Sequence, residues 1–395
     1  MLTATLAPGK EKRLIGGHPW VFRGDIAAVA RESDWSPAAP LADVRASNGR
    51  FIARAMYNPA SQITLRALTR ADEPIDEAFF RRKVEHAVSL RRRYADFGAC
   101  RLVFAESDGL PALIADKFGD VIVVQSLALG IEPYKDWIVS ALADLTGAPN
   151  VWERSDAPVR SLEGLPMVSA PLRGNVPDMV PFRENGLNML ADVRNGQKTG
   201  YFLDQKENRA AIAPYVKGAR VLDCFTHTGS FALHAAMYGA ASVVGVDISP
   251  DALAIARENA RLNGLADRVA FEAANAFDYL RAQQPGAFDV IILDPPAFTK
   301  SRATLDSALR GYKEINLRAM KLLMGGSGGI LVTCSCSQHV SADEFGATLH
   351  AAARDARRVM RVLEKRGAGR DHPVLMGARE TEYLKFWITE ITRQG

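Results

Sequence analysis

From about residue 186 to the end, short apolar runs of strand length alternate with helical patterns. That alternation permits few folds besides a doubly wound parallel α/β sheet. Val221-Leu222-Asp223-Cys224-Phe225 reads as a strand, then a turn, then a helix from Ser230 to Tyr238. Ala241-Ser242-Val243-Val244-Gly245-Val246-Asp247 is the next strand. Ser249 is a natural N-cap with Pro250 at the first helical position, and Gly264 closes that helix. Val290-Ile291-Ile292-Leu293 is apolar on both faces, as a central parallel strand must be. Gly329-Ile330-Leu331-Val332-Thr333 and Tyr383-Leu384-Lys385-Phe386-Trp387-Ile388 supply later strands. Such sheets bind ligands beyond the carboxyl ends of their strands, near the point where strand order reverses. The loops that follow these runs are therefore where function is to be sought.

The rest of the chain has a different texture. Residues 1–72 hold short strands (Trp20-Val21-Phe22, Leu41-Ala42-Asp43-Val44, Phe51-Ile52-Ala53-Arg54-Ala55, Ile63-Thr64-Leu65-Arg66-Ala67-Leu68). They are broken at Gly16-Gly17, Ser36-Pro37, Asn48-Gly49 and Asn58-Pro59, the pattern of a small β-barrel. Ala71-Asp72-Glu73-Pro74 is a linker into a helix from about 76 to 97. Residues 76–185 mix a buried strand, Val121-Ile122-Val123-Val124-Gln125-Ser126, with an amphipathic helix from Tyr134 to Leu145, and read as a middle α/β domain. The sheet described above then occupies 186–395. Three domains suit 395 residues at ~150 per domain.

Hydrophobic residues at 48% exclude disorder for most of the chain, and no run approaches the ~20 apolar residues of a membrane span. The N-terminus lacks the apolar core of a signal peptide. Four scattered cysteines exclude a disulfide framework and a paired metal site, so no metal is expected and a reducing cytoplasm fits best. The net charge of +4 conceals an asymmetry: residues 1–100 carry 16 Lys and Arg against 11 Asp and Glu. Arg81-Arg82-Lys83 and Arg91-Arg92-Arg93 share one predicted helix. Such clusters suit a polyanion, although a solvated helix face with no partner would look the same.

Four loops lie at the ends of the C-terminal strands. The first, Asp223 to Phe231, contains Gly229 but is not G-x-G-x-x-G, which counts against a dinucleotide. The second holds Asp247, 18 residues after Gly229, where a carboxylate can accept both ribose hydroxyls of a nucleoside cofactor or simply cap a helix. The third holds Asn275, which could face an adenine edge or serve a turn. The fourth, Asp294-Pro295-Pro296-Ala297-Phe298, is the most specific, because two prolines after a buried strand fix a rigid turn beside which a flat base can lie. Together the four match S-adenosylmethionine (SAM) methyltransferases acting on nucleic acid or planar amide-like groups. Cys336, in Thr333-Cys334-Ser335-Cys336-Ser337 just past another strand, should face the same cleft. A thiolate there could attack C6 of a pyrimidine and raise electron density at C5. Cys334 reads as a buried strand residue, Trp20 and Phe22 as barrel core, and His227 as a loop residue near the ligand.

The chain resembles the ribosomal RNA large subunit methyltransferase I family of cytosine-5 methyltransferases. The resemblance rests on His18-Pro19-Trp20-Val21-Phe22, Glu106-Ser107-Asp108-Gly109-Leu110-Pro111, and the run from Asn195-Gly196-Gln197-Lys198-Thr199-Gly200 to Tyr201-Phe202-Leu203-Asp204-Gln205. It continues in Asp294-Pro295-Pro296-Ala297-Phe298, Arg310-Gly311-Tyr312-Lys313 and Ser335-Cys336-Ser337. It implies an N-terminal PUA domain that binds RNA, a middle α/β domain and a Rossmann-like catalytic domain. It implies Cys336 as nucleophile and Asp294 at the target base near N3, with SAM as cofactor and ribosomal RNA as substrate. The SAM site would draw on Asp223, Phe225, Thr228, Gly229, Asp247, Ile248, Asn275, Ala276, Asp294 and Pro295, with Lys198, Thr199, Gly200, Tyr201 and Phe202 walling the cofactor. Lys12, Arg13, Trp20, Arg91, Arg92, Arg93, Phe298 and Lys300 would face RNA. Two departures stand out: Ala297 replaces the second cysteine many such enzymes carry, in keeping with a single-cysteine subgroup. Asn275 stands where an acid is common, so a weaker adenine contact is expected. An amino-group methyltransferase, a uracil-5 enzyme and a non-catalytic RNA-binding protein remain alternatives, and a homodimer is compatible with the sequence.

Overall fold

The computed structural model describes residues 2–31, 40–299, 301–323 and 328–393. They divide into two compact units: Met1–Arg183 with Ala191–Asp204 and Arg370–Thr381, and Glu184–Leu190 with Gln205–Gly369 and Glu382–Gly395. No helix among the described residues is long and apolar enough to cross a membrane.

The first unit begins with six strands: β1 (Leu2–Leu6), β2 (Trp20–Phe22), β3 (Ile26–Arg31), β4 (Leu41–Arg45), β5 (Phe51–Tyr57) and β6 (Ile63–Thr69), ordered β2-β6-β5-β4-β1-β3. The two outermost strands, β2 and β3, are joined by only Arg23–Asp25, so the sheet rolls until its ends are chain neighbours. Leu2, Ala4, Leu6, Val44, Ala53 and Leu65 fill the interior of this small barrel. β1 and β3 have no counterpart among the expected strands, and Ser36-Pro37 lies outside the described residues. The chain then forms β7 (Ala99–Phe104), β8 (Leu113–Phe118), β9 (Val121–Ser126), β10 (Asn150–Ser155) and β11 (Val168–Arg173), a sheet ordered β11-β10-β9-β8-β7. The helix Glu77–Tyr94 starts where the Asp76 carboxylate accepts the Phe79 N–H at 2.8 Å. It buries Phe80, Val84, Ala87, Val88 and Arg91, spaced at three to four residues as one helical face requires.

The hairpin β12 (Val180–Glu184) and β13 (Leu187–Ala191) follows. The second unit is the expected doubly wound sheet: β14 (Arg220–Cys224), β15 (Ser242–Asp247), β16 (Val269–Ala273), β17 (Val290–Leu293), β18 (Gly329–Ser335), β19 (Arg358–Arg366) and β20 (Lys385–Arg393). Their order is β16-β15-β14-β17-β18-β20-β19. The first five run parallel, β20 enters antiparallel to β18, and β19 adds an antiparallel edge not foreseen from sequence. The chain travels outward from β14 to β16 and then returns to β17 beside β14, so strand order reverses between β14 and β17. Leu222, Val246, Ile291, Leu293 and Leu331 form the middle of its core with Ile315, Ala319 and Met320 of the helix Leu305–Leu322. Burying each such side chain contributes ~1.5–3 kcal/mol, which fixes the strand ends that carry the polar residues.

Candidate active site

The polar residues of the second unit gather where β14 and β17 end. Asp223 is wholly buried. Its Oδ2 accepts the Thr226 hydroxyl at 2.5 Å and the Ala232 N–H at 2.9 Å. Its Oδ1 is buried with no partner among the described residues. Burial, then the charges of Asp294 and Asp247, push the Asp223 carboxyl up to about 7. The loop after β14 holds Phe225, His227 and Gly229 in the left-handed region, with φ +65°, +52° and +83°. Two non-glycine residues so held store strain of ~1–2 kcal/mol each, which collects at ligand-binding loops. Glycine is required at 229, because a Cβ there would sit 2.9 Å from the Phe271 ring and 3.1 Å from the Ala256 Cβ. Thr228 Oγ1 is another buried, unpartnered polar atom. Burial lowers the His227 imidazole below its ordinary value, so it is neutral at pH 7.

Asp247 ends β15 with Oδ2 accepting the His227 N–H and Oδ1 the Ser249 N–H, each at 2.9 Å. Two backbone bonds fix the carboxylate and leave lone pairs on both oxygens for a diol. Ile248 beside it is 72% exposed, an apolar face next to the anionic pocket. Asn275 caps the helix Ala276–Ala282, its Oδ1 accepting the Phe277 N–H at 2.9 Å, and Ala276 is buried. The alternative offered for Asn275 is a turn role; its place is a helix N-cap, and that bond engages the oxygen expected to meet an adenine.

Asp294 and Cys336 are brought together, as their positions in sequence suggested. Gln205 Nε2 donates to Asp294 Oδ1 at 3.0 Å, and Asn208 Nδ2 donates to Gln205 Oε1 at 2.7 Å. The half-buried Cys336 thiol donates to the Pro295 carbonyl at 3.8 Å. Cys334 is wholly buried, hydrogen-bonded to Gln205 and Asp294, and burial pushes its thiol well up, so it orients Asp294 and cannot readily ionise. The Phe298 ring, expected to face RNA, packs 4.6 Å from the Tyr312 ring and against Gly311, with Phe277 at 6.1 Å. Tyr312 in turn bonds Ser337 at 3.0 Å. The Arg310-Gly311-Tyr312-Lys313 motif thus braces the cysteine loop. Lys300 lies outside the described residues.

Three participants escaped the residue-by-residue expectations. In sequence Gln205 is one residue of a longer motif, and Tyr312 belongs to another that assigns it no role. Lys385, buried at the start of β20, donates to the Ser337 and Tyr383 carbonyls, and its signal was a charge inside an otherwise apolar strand.

The remaining named residues belong to the first unit. Thr199 is buried and donates to Asp116 Oδ2 at 2.6 Å. Gly200 has φ +110°, and a Cβ there would lie 2.6 Å from the Asp192 carbonyl oxygen. Tyr201 packs its ring 4.9 Å from that of Phe182, and the exposed Lys198 places its ammonium 4.9 Å from the Phe202 ring centre. Of the cations assigned to RNA, Lys12, Arg13, Arg92 and Arg93 are exposed. Arg91 requires correction: it is 1% exposed, pairs with Asp108 at 2.6 Å, and donates to the Arg101 and Asp371 carbonyls. Its guanidinium is a structural tie and does not reach a phosphate. Trp20 is half-buried, with its indole N–H donated to Glu106 at 2.9 Å.

SAM carries a sulfonium, an ammonium, a ribose diol and a flat purine. The unpartnered acceptors of Asp223 and Thr228, the fixed Asp247 carboxylate and exposed Ile248 suit those groups. Among the described residues no set of His, Cys, Asp and Glu could hold a metal ion.

Residues 114–379 match the family model of S-adenosylmethionine-dependent methyltransferases, and residues 4–70 that of PUA-like domains. The ribosomal RNA large subunit methyltransferase I of Alteromonas mediterranea is 40% identical over 394 residues, spanning 98% of each chain. That of Escherichia coli K12 is 41% identical over 388 residues, 96% of this chain and 97% of its own. A solved structure from Streptococcus mutans, assigned as a SAM-dependent methyltransferase, superposes with a TM-score of 0.81 at 19% identity, covering 99% of this chain and all of its own. A second, solved with SAH, gives 0.83 at 19% identity over the same shares. The two structures share the fold described above.

Proposed function

The chain belongs to the ribosomal RNA large subunit methyltransferase I family of SAM-dependent methyltransferases, and from that premise we propose that it methylates C5 of a cytosine in 23S ribosomal RNA through a covalent Cys336 adduct. One observation carries the covalent step: the half-buried Cys336 thiol lies against Pro295, one residue from an Asp294 held in place by Gln205. The Cys336 sulfur bonds to C6 of the base, which breaks the C5–C6 π bond and puts electron density on C5. Asp294, in its acid form, donates to N3 and stabilises the resulting enamine-like ring. SAM, when bound, supplies the methyl group. Asp223, Thr228 and Asp247 would hold it, with Ile248 against the purine. The C5 proton then leaves to a base, the C6–S bond breaks, and the thiolate and the aromatic ring are restored.

In this reading the barrel of residues 1–72 holds RNA through exposed Lys12 and Arg13, and Arg92 and Arg93 of the middle domain 76–185 add phosphate contacts. Residues 186–395 carry out the transfer.

Nucleoside mass spectrometry on 23S ribosomal RNA from cells lacking the protein, incubated with protein and SAM, tests the proposal. Wild type should add 5-methylcytidine, and Cys336→Ala should fall about a hundredfold or more while still binding SAM in calorimetry. A Cys336→Ala protein of normal rate would overturn the covalent step, and a methylated purine would move the chemistry to an amino group.

A further inference from the structure

We propose that Lys385 is the positioning residue that eases ionisation of Cys336, whose protonated thiol rests on the Pro295 carbonyl, the Lys385 ammonium being pinned beside the cysteine loop by the carbonyls of Ser337 and Tyr383. The inference rests on the covalent reading for its purpose, but its geometry is independent of it. Lys385 opens β20, paired with Ser335 of β18, the residue immediately before Cys336. Its Nζ donates to Ser337, the residue immediately after Cys336, at 2.7 Å, and to Tyr383 at 2.8 Å. The backbone of Lys385 thus pairs on one side of Cys336 and its side chain bonds on the other. An ammonium has three donors, and these two carbonyls take two of them. No carboxylate forms an ion pair with Lys385 among the described residues, although only 7% of the residue is exposed. A buried cation without a carboxylate is costly, and its field acts strongly on whatever anion lies nearby.

Cys336 lies between Ser335, the register partner of Lys385, and Ser337, whose carbonyl takes its ammonium, and Glu344 and Glu382 are the acidic groups that also act on that ammonium. The surroundings otherwise disfavour a thiolate. Asp294 stands on the loop after β17, Glu344 on the helix Ala342–Ala356, Glu382 before β20, and the neutral Tyr312 and Cys334 pack alongside. Gln338 and His339 continue the cysteine's own loop. A nucleophilic thiol in that company needs a fixed cation, and Lys385 supplies it. Burial pulls its ammonium down to about 8, so it remains charged at neutral pH. Its carbonyl acceptors also require N–H donors, which suits it to hold charge more than to remove the C5 proton.

The test is the pH dependence of iodoacetamide alkylation at Cys336 in the full-length protein, read by mass spectrometry of the Cys336 peptide. Cys100, Cys224 and Cys334 are buried, and Cys336→Ala serves as the blank. In wild type the inflection should fall a unit or more below the ordinary thiol value of about 8.5. Lys385→Met should raise it by a unit or more, slowing alkylation at pH 7 about tenfold, and Lys385→Arg should restore most of the difference. Methyl transfer by Lys385→Met should recover toward pH 9, which a merely structural defect would not do. A wild-type inflection at or above 8.5 overturns the proposal without any variant, and so does a folded Lys385→Met protein with an unchanged inflection. If Cys336→Ala keeps its activity, the covalent reading falls while the thiol titration still reports on Lys385 directly.

Discussion

Asp223 is a buried carboxyl whose charge the folded chain resists, and replacing it should separate stability from cofactor binding. Its carboxyl moves from 3.8 to about 7, with burial as the chief cause. At 1.36 kcal/mol per unit, a shift of roughly three units makes the ionised form cost the fold about 4 kcal/mol. The sign follows from proton counts. Between 3.8 and 7 the unfolded chain has lost the proton that the folded chain retains, so stability falls across that window and the whole penalty is present above it. Asp223→Asn removes the titration and keeps an oxygen for Thr226 and Ala232. Any misfit of the amide NH2 is the same at every pH. The gain of Asp223→Asn over wild type should therefore grow by about 3 kcal/mol from pH 5 to pH 8. Urea unfolding of the SAM-free proteins, followed by hydrogen exchange of the β14 and β17 amides, measures this locally. SAM affinity should fall at the same time, tenfold or more, since the unpartnered Oδ1 is lost. A difference between the two proteins that is the same at pH 5 and pH 8 would refute the argument.

Two further substitutions probe the loop and the basic helix. Gly229→Ala should destabilise the second unit by about 2 kcal/mol or more, because φ +83° disfavours a side chain and the new Cβ meets Phe271 and Ala256. Calorimetry should show weaker SAM binding, and unchanged binding would count against a cofactor role for the loop. Arg91→Met should lose about 3–5 kcal/mol by stranding Asp108, with the salt dependence of RNA binding unaltered. Arg92→Ala and Arg93→Ala should each leave stability intact and lower the slope of log affinity against log salt by about one. The opposite assignment of effects would restore Arg91 to the RNA surface.

The legible parts of this chain are those in which polarity and position agree. Parallel strands such as β14 and β17 are apolar runs that stop at a polar residue, so Asp223, Asp247 and Asp294 announce the strand ends and with them the pocket. Strands that carry charges inward were not legible. β7 and β8 contain Arg101 and Asp116, register partners that join at 2.8 Å inside the sheet and break the apolar alternation each strand would otherwise show. β19, with five charges in nine residues, lies at the sheet edge and depends on pairing with β20, a tertiary fact. Arg91 was legible in principle: at helical spacing from Val84, Ala87 and Val88 it falls in the middle of their face, whereas Arg92 falls at its margin and Arg93 on the far side. What sequence could not supply is whether a buried charge is answered within the chain. Arg91 finds Asp108, Arg101 finds Asp116, and Arg66 finds Glu163, all ties that hold the first unit together. Among the described residues Asp223 keeps an oxygen with no partner, and Lys385 donates to carbonyls without an ion pair. The second unit answers Arg209 with Glu184, but in the proposed mechanism it buries Asp223 and Lys385 ahead of the groups they would serve, a ligand and a thiolate. This is why the residues that weaken that unit are also the ones that define its site.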